Sequence, residues 1–366
     1  MTPAAQPPAQ AQAQAQPQTQ AQPQTPARAI TVRRAGPGIS VQDAGRPGHL
    51  AQGLSRGGAL DPLALAEGAA LLGQGADLAA IEIPATPLEI TAPVDLRIAL
   101  TGGEMRAQID GGTALAWNAS HLLPAGAVLA LTGLRGGHSY LHLGGGVATA
   151  PVLGSRSAHL VSGLGRALAA GDSLPVGPDR GNRTGLVLPP RPAAGAAGGT
   201  IRLVPSLQTD VFPAPERDRF ARTRFQKDAR GNRMGQRMVP EGPGFGSDLG
   251  LSILSETIVP GDVQITGDGT PFILLAECQT TGGYPRIGTV LPCDLPALVQ
   301  APAGSAFRFR FVTLEEAIAL ERAETTRRAT LARHLQPLLR DPAQIADLLS
   351  YQLISGAIAG DEPDLA

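Results

Sequence analysis

The chain has 366 residues, of which 43% are hydrophobic and 3% aromatic, and a formal net charge of −1. That length allows two domains of ordinary size whose cores must be filled by Val, Leu, Ile and Ala, and the near-neutral balance gives no support for attraction to nucleic acid or a membrane surface. Two cysteines, Cys278 and Cys293, fit a reducing compartment rather than a disulfide framework, and with neither a secretory signal nor a run of transmembrane length the expected location is the cytoplasm.

Residues 1–27 form a Gln/Ala/Pro tract with almost no charge, which cannot bury enough apolar surface to offset its ordering entropy and is expected to be disordered. From Ile30 the texture changes: ITVRRAG reads as a strand ended by Gly-Pro-Gly. Asp61 to Leu72, DPLALAEGAALL, predicts the one good helix of the first half, with Asp61 as N-cap and Pro62 in the first turn. Short strands follow at turn-bounded intervals: AIEI, LEITA, LRIAL, AVLALTG and HSYLHLGGGV. Their Gly- and Pro-rich punctuation favours barrels or sandwiches over a doubly wound sheet. Pro189 to Gly199, PPRPAAGAAGG, reads as a linker between a first domain over 28–190 and a second over 200–312. The second block continues the strand pattern in IRLVP, LGLSILSE, DVQIT, PFILLAE and FRFRFV. The tail, 313–366, is expected to be helical. It opens on Thr313 and Glu316 at capping-box spacing, and DPAQIADLLSYQLISGAI predicts a second helix.

Several motifs have both a chemical and a structural reading. GLSRG around Ser55 matches a nucleophile elbow, but the β/α alternation an elbow needs is missing, so a turn leading into the Asp61 helix is the better reading. His138 and His142 share a strand face, yet no third ligand lies at a typical spacing and no metal site is evident. VQDAGRPG packs Gln42, Asp43 and Arg46 into one Gly/Pro-shaped loop, where an Asp–Arg pair can clamp an oxyanion or hold a turn. Gly144 and Gly145 in LGGGV, with Arg156 in GSRS, can present anion-binding amides or serve as plain turns. NRMGQR places Arg233 and Arg237 four residues apart. The run from Ser255 to Val290 holds Glu256, Gln264, Glu277, Gln279, Thr280, Thr281, Gly282, Gly283, Tyr284 and Arg286. A loop of that polar density after the apolar strand PFILL is more often a site than a connection. Cys278 beside it reads as an inert buried thiol. Lys227 is the only lysine, which excludes a Walker A loop and a biotin-carrying Met-Lys-Met, and leaves Lys227 as the sole Schiff-base candidate.

Taken in order, VQDAGRPG, SRGGALDPLALAEGAALLG, YLHLGGGV with VLGSRS, NRMGQR and GDVQITGDGTPFILLAECQTTGGYPRIGTVLPCDL resemble the biotin-dependent carboxyltransferase family. That family includes the C-type component of ATP-dependent 5-oxoprolinase, the second subunit of allophanate hydrolase (a name inherited from urea amidolyase) and the carboxyltransferase domain of urea carboxylase. The resemblance spans Ile30 to Ala317 and implies a mainly β fold of two cyclophilin-like β-barrel domains with a site between them. It also implies a B-type partner subunit and often an A-type lactam-processing subunit. The chain departs from the family pattern at Gly68 (usually Asn), Ala158 (often Thr), Glu277-Cys278 (usually Asp-Arg) and Arg286 (commonly Lys), the marks of a divergent paralogue.

The activity so implied is ATP-dependent opening of 5-oxoproline to glutamate, with ATP handled at the level of the complex. Phosphorylating a lactam oxygen calls for cations and oxyanion donors. Arg46, Arg233, Arg237 and Arg286 are the cation candidates, Thr280, Thr281 and the Gly282–Gly283 amides the donors, and Asp43 and Glu277 the acid–base groups. One alternative is carboxyl transfer to urea or a related amide from carboxybiotin carried on a partner chain. Another is a non-catalytic module that regulates a sensor kinase through its B-type partner.

Overall fold

A computed structural model describes residues 28–134, 137–191, 198–248 and 250–339. The N-terminal Gln/Ala/Pro tract, most of the expected linker and the expected helix over 341–358 lie outside the described residues. The fold is mainly β, with each half built around its own core.

In the first half two sheets enclose an aliphatic core. One has five strands in the order Ser173–Pro175, Ala29–Ala35, Leu88–Thr91, Val128–Leu134 and Met105–Ile109. The other has seven: Ser40–Gln42, Ala80–Pro84, His138–Leu143, Leu96–Gly102, Ala119–Leu123, Leu186–Val187 and Gln336–Pro337. Period-2 alternation sets which face is inside. Leu88 and Ile90 are buried while Glu89 and Thr91 beside them are only partly so. Strand Leu96–Gly102 departs from that alternation because helix α1 (Pro62–Leu72) packs across its outer face, so both faces are covered. The Asp61 carboxylate accepts the Ala64 amide at 3.0 Å, and the helix stops at Gly73, whose φ of +61° closes the last turn.

The second half is a closed seven-stranded barrel: Gly198–Val204, Arg286–Val290, Asp262–Ile265, Pro271–Leu274, Gly235–Pro240, Phe225–Lys227 and Ala306–Phe311. Gly198 and Gly199, expected in the linker, already belong to its first strand. All eight phenylalanines of the chain fall in this half. Phe220, on helix α2 (Ala214–Arg222), stacks on Phe309 at 4.9 Å and meets Phe225 and Phe245. The expectation of an aliphatic core therefore holds for the first half only. LGLSILSE forms no strand before Glu256–Thr257; Leu254 is exposed, and Ile253 makes a lone backbone bond to Gly283.

Helix α3 (Leu295–Gln300) and the turn around Leu275 meet the first half through Leu60, Leu275 and Val299. Helix α4 (Leu314–Thr330) starts at Thr313 as expected, with the Glu316 amide donating to the Thr313 hydroxyl. Beyond it the tail is not helical throughout. Gln336–Pro337 pairs antiparallel with Leu186–Val187 and closes the edge of the first half's larger sheet. No helix among the described residues is long and apolar enough to cross a membrane.

Candidate functional site

The two halves meet over a buried run of ions. Arg233 donates from Nε to Glu277 Oε1 at 2.5 Å, from Nη1 to Glu82 Oε1, and from Nη2 to the Gly58 carbonyl at 2.6 Å. Glu82 Oε2 accepts from the Leu60 amide at 2.9 Å and the Tyr140 hydroxyl at 2.7 Å. Glu277 Oε2 accepts from the Val161 amide at 3.2 Å. Burial alone would raise the pKa of Glu82; the charges of Arg233 and His138 together with the Tyr140 and Leu60 hydrogen bonds outweigh it and hold the carboxyl below its ordinary value. Burial and the same carboxylate push the Tyr140 phenol well above its ordinary value, so it stays protonated as a donor. Arg233 and Glu277 were expected at the site. Glu82 and Tyr140 were missed because they sit in strands that read as core, and nothing local in AIEI marks its acid as an ion partner.

Asp43, expected as an acid–base group, is an acceptor knot. Its Oδ1 takes the Gly45 amide at 2.8 Å and the Ser155 and Ser157 hydroxyls at 2.6 and 2.5 Å, and its Oδ2 takes the Arg156 amide at 2.6 Å. Burial alone would raise its pKa; these bonds outweigh burial and keep it below the usual value, which makes it a poor proton acceptor. The knot pins GSRS against VQDAGRPG. Gln42 adds a bond from Nε2 to the Ala158 carbonyl at 3.2 Å. Arg156 itself turns away to the Thr149 carbonyl. Gly144 and Gly145 lie apart from these loops, near Asp179 and Gly177, and the Gly145 amide donates to Gln74.

Of the four cation candidates, three are saturated. Besides Arg233, Arg237 pairs with Asp228 and Asp268, and Arg286 pairs with Glu256 and Asp262 and donates to the Thr257 carbonyl. Arg46 differs. It is 1% exposed, its Nη2 donates to the Ser157 carbonyl and its Nε to the Val152 carbonyl at 3.4 Å, and its Nη1 has no partner among the described residues.

Ser55 Oγ lies 2.9 Å from His159 Nε2, and His159 Nδ1 stands 4.0 Å from Glu277 Oε2. The alignment has the outline of a Ser-His-acid triad. The Ser162 amide, however, is shared between the His159 carbonyl and Nδ1, at 3.2 and 3.3 Å. Hydrogen bonding thus assigns the ring proton to Nε2, where it donates to Ser55 and cannot accept the serine proton. Burial holds the imidazole below its ordinary pKa; Glu277 opposes that shift, and Arg46 and Arg233 add to it. Ser55 and His159 are 104 residues apart, a pairing no local motif announces.

The QTTGGYPR segment divides. Its approach, Ala276 and Glu277, touches the first half, and the Gly57 amide donates to the Ala276 carbonyl. Its tip bonds within the second half: Thr281–Gly282 pairs with Glu256–Thr257, and Gly282 packs on the buried Gln264 amide. Gln279, Thr281 and Tyr284 are exposed, with Thr280 and Gly283 half-buried. Burial pushes the Cys278 thiol up to about 12, as for an inert thiol. Lys227 is engaged by the Leu298, Val299 and Ala301 carbonyls at the end of α3, which removes it as a Schiff-base candidate.

Beside the ion run lies a largely apolar cleft of about 830 Å³, lined by Asp43, Arg56, Gly57, one face of α1, Ala276 and Leu295, with Arg328 and Ala332 from the tail. A cleft of this size suits a small molecule.

Residues 52–311 match the family described as carboxyltransferase domain, subdomain A and B. The chain is 35% identical over 299 residues to the C-type component of 5-oxoprolinase from Escherichia coli (strain K12), covering 79% of this chain and 93% of that protein. It is 34% identical over 289 residues to the corresponding 5-oxoprolinase component of Haemophilus influenzae (strain ATCC 51907 / DSM 11121 / KW20 / Rd), covering 77% and 91%. Among solved structures, TTHA0988 is 32% identical with a TM-score of 0.71 over 79% of this chain, which spans 57% of TTHA0988's length. The Kluyveromyces lactis urea carboxylase shares the fold, with a TM-score of 0.74 at 20% identity over 87% of this chain and 31% of that one. The chain belongs to the carboxyltransferase family of joined A and B subdomains.

Proposed function

We propose that this chain is the C-type component of a 5-oxoprolinase complex, acting on the lactam of 5-oxoproline with ATP handled at the level of the complex. The observation that supports it most is the 35% identity running through 93% of the Escherichia coli 5-oxoprolinase component. The site is consistent with an amide substrate: a small apolar cleft beside buried, pre-oriented donors. With Arg233, Arg237 and Arg286 already paired, phosphate handling falls to partner chains of the B and A type, in the cytoplasm. The test is reconstitution of this chain with those partners. ATP- and partner-dependent release of glutamate from 5-oxoproline is expected, and a well-folded complete complex that releases none would overturn the reading.

A second reading, carboxyl transfer to an amide, is favoured by the family description itself. With no carrier lysine in this chain, carboxybiotin would come on a partner. Labelled carboxyl appearing on urea or a related amide, with a biotin carboxylase partner present, would select this reading over the first.

A further inference from the structure

An apolar cleft selects its occupant through the few polar groups that the protein leaves uncommitted. The polar side chains lining the cleft beside the ion run are Asp43, Arg56, Gln74 and Arg328. Two of them are occupied. Both Asp43 oxygens accept bonds inside the knot already described. Gln74 donates from Nε2 to the Leu143 carbonyl at 3.1 Å, and its Oε1 accepts the Gly145 amide at 3.0 Å.

The other two are cations. Arg56 donates from Nε to the carbonyl of Ala44, also a lining residue, at 2.9 Å, which holds the guanidinium against the cleft wall. Among the described residues its two terminal nitrogens bond to nothing and no carboxylate pairs with it. Arg328 donates from Nε to Glu324 Oε1 at 2.7 Å, but Arg327 takes both oxygens of the same carboxylate, so one acid serves two guanidiniums. The acids behind the wall are held by their own arginines: Glu82 and Glu277 by Arg233, and Asp61 and Glu67 by Arg191. None of these four lines the cleft. A ligand there meets two guanidiniums and no free carboxylate.

The rest of the lining is apolar, with Leu60, Leu65, Ala66 and Ala69 from α1 and its approach and Leu275 and Leu295 from the second half. So few donors cannot offset the lost water of a phosphate dianion. A carboxylate, in contrast, takes the two terminal nitrogens of one guanidinium side by side, and an apolar body attached to it gains from burial on α1. We infer that the cleft is a binding site for a small organic acid, anchored through its carboxylate by Arg56 and seated by its apolar body on α1, with Arg328 adding attractive charge. This goes beyond the function proposed above, since it follows from the cleft alone; 5-oxoproline is one acid of the class.

The experiment is calorimetric titration of the full chain alone, without ATP or partners. The probes are cyclopentanecarboxylate; cyclopentanecarboxamide, its neutral counterpart; acetate, an acid with almost no apolar body; and inorganic phosphate. Saturable binding of cyclopentanecarboxylate is expected, at least roughly tenfold tighter than that of the other three and weakened by added salt. Arg56→Met should weaken it about tenfold, the scale of a hydrogen bond to a charged group, and Arg328→Met by less. Ala66→Phe fills the cleft from α1 and should weaken binding with both arginines in place, so the prediction does not hang on one variant. No binding of cyclopentanecarboxylate, equal binding of the carboxamide, a preference for phosphate, or affinity unchanged by Arg56→Met would each overturn the inference. Glutamate release by the reconstituted complex is a separate readout: Arg56-dependent acid binding without turnover would uphold this site and remove the proposed function.

Discussion

Arg233 holds two acids that are almost wholly shielded from solvent, and its removal shows what an ion pair is worth when one partner is left behind. Arg233→Met would strand Glu82 and Glu277 with their remaining amide and hydroxyl donors only. A loss of about 3–5 kcal/mol in unfolding free energy is expected, read from urea midpoints. Adding Glu82→Gln and Glu277→Gln should recover part of it. A single change costing less than about 1 kcal/mol would mean that the run contributes little to joining the halves. At this scale the sequence was informative where a residue lay inside a dense motif. Arg46, Arg233 and Glu277 were singled out that way, and all three are buried or nearly so in the structure. It was silent where the partner came from far along the chain: Glu82 is 151 residues from Arg233, and tertiary packing alone decides that they meet.

Gly68 and His142 show how two elements are fitted to each other. A Cβ at Gly68 would lie 2.2 Å from the His142 ring, so the histidine occupies the place of any side chain on that face of α1. His142 Nε2 bonds to the Thr101 hydroxyl, which donates to the Ala64 carbonyl of α1. This accounts for the glycine that stands where the family resemblance leads one to expect asparagine. In an exposed helix Gly→Ala is worth about 1 kcal/mol of stabilisation. Here Gly68→Ala should instead destabilise by roughly 1–3 kcal/mol through overpacking. Gly68→Ala combined with His142→Ala should regain most of that loss, a coupling that a double-mutant cycle of chemical denaturation measures. Elements with local signals, such as α1 with its Asp61 cap, were legible. LGLSILSE was not, because its alternation is that of a strand while no neighbouring strand among the described residues is there to pair with it.

For the molecule as a whole, buried titrating groups set the acid limit of stability. Burial pushes His142 down to about 3 and lowers His138. Both have folded pKa values below the unfolded one, so their contribution is complete above about pH 6.5 and is lost as pH falls below it. Asp43, Asp61 and Glu82 are also lowered, and their contribution is lost only below about pH 4. Urea midpoints should therefore begin to fall near pH 6.5 and fall more steeply below about 4. A midpoint that stays flat down to about pH 4 would mean that the two histidines are not held neutral. The mainly β character of the chain was readable from turn-punctuated short strands. The division between an aliphatic half and a phenylalanine-filled half was not drawn, because chain-averaged composition conceals it.

The strand Gln336–Pro337 has a consequence for how the protein is made. On the ribosome every strand of the first half's larger sheet emerges early except Gln336–Pro337, so the edge beside Leu186–Val187 stays open while the whole second barrel is being synthesised. An open sheet edge is a template for another chain. The nascent protein thus carries an unpaired sheet edge through much of its synthesis, and the residues that cover it leave the tunnel only after the second barrel has done so.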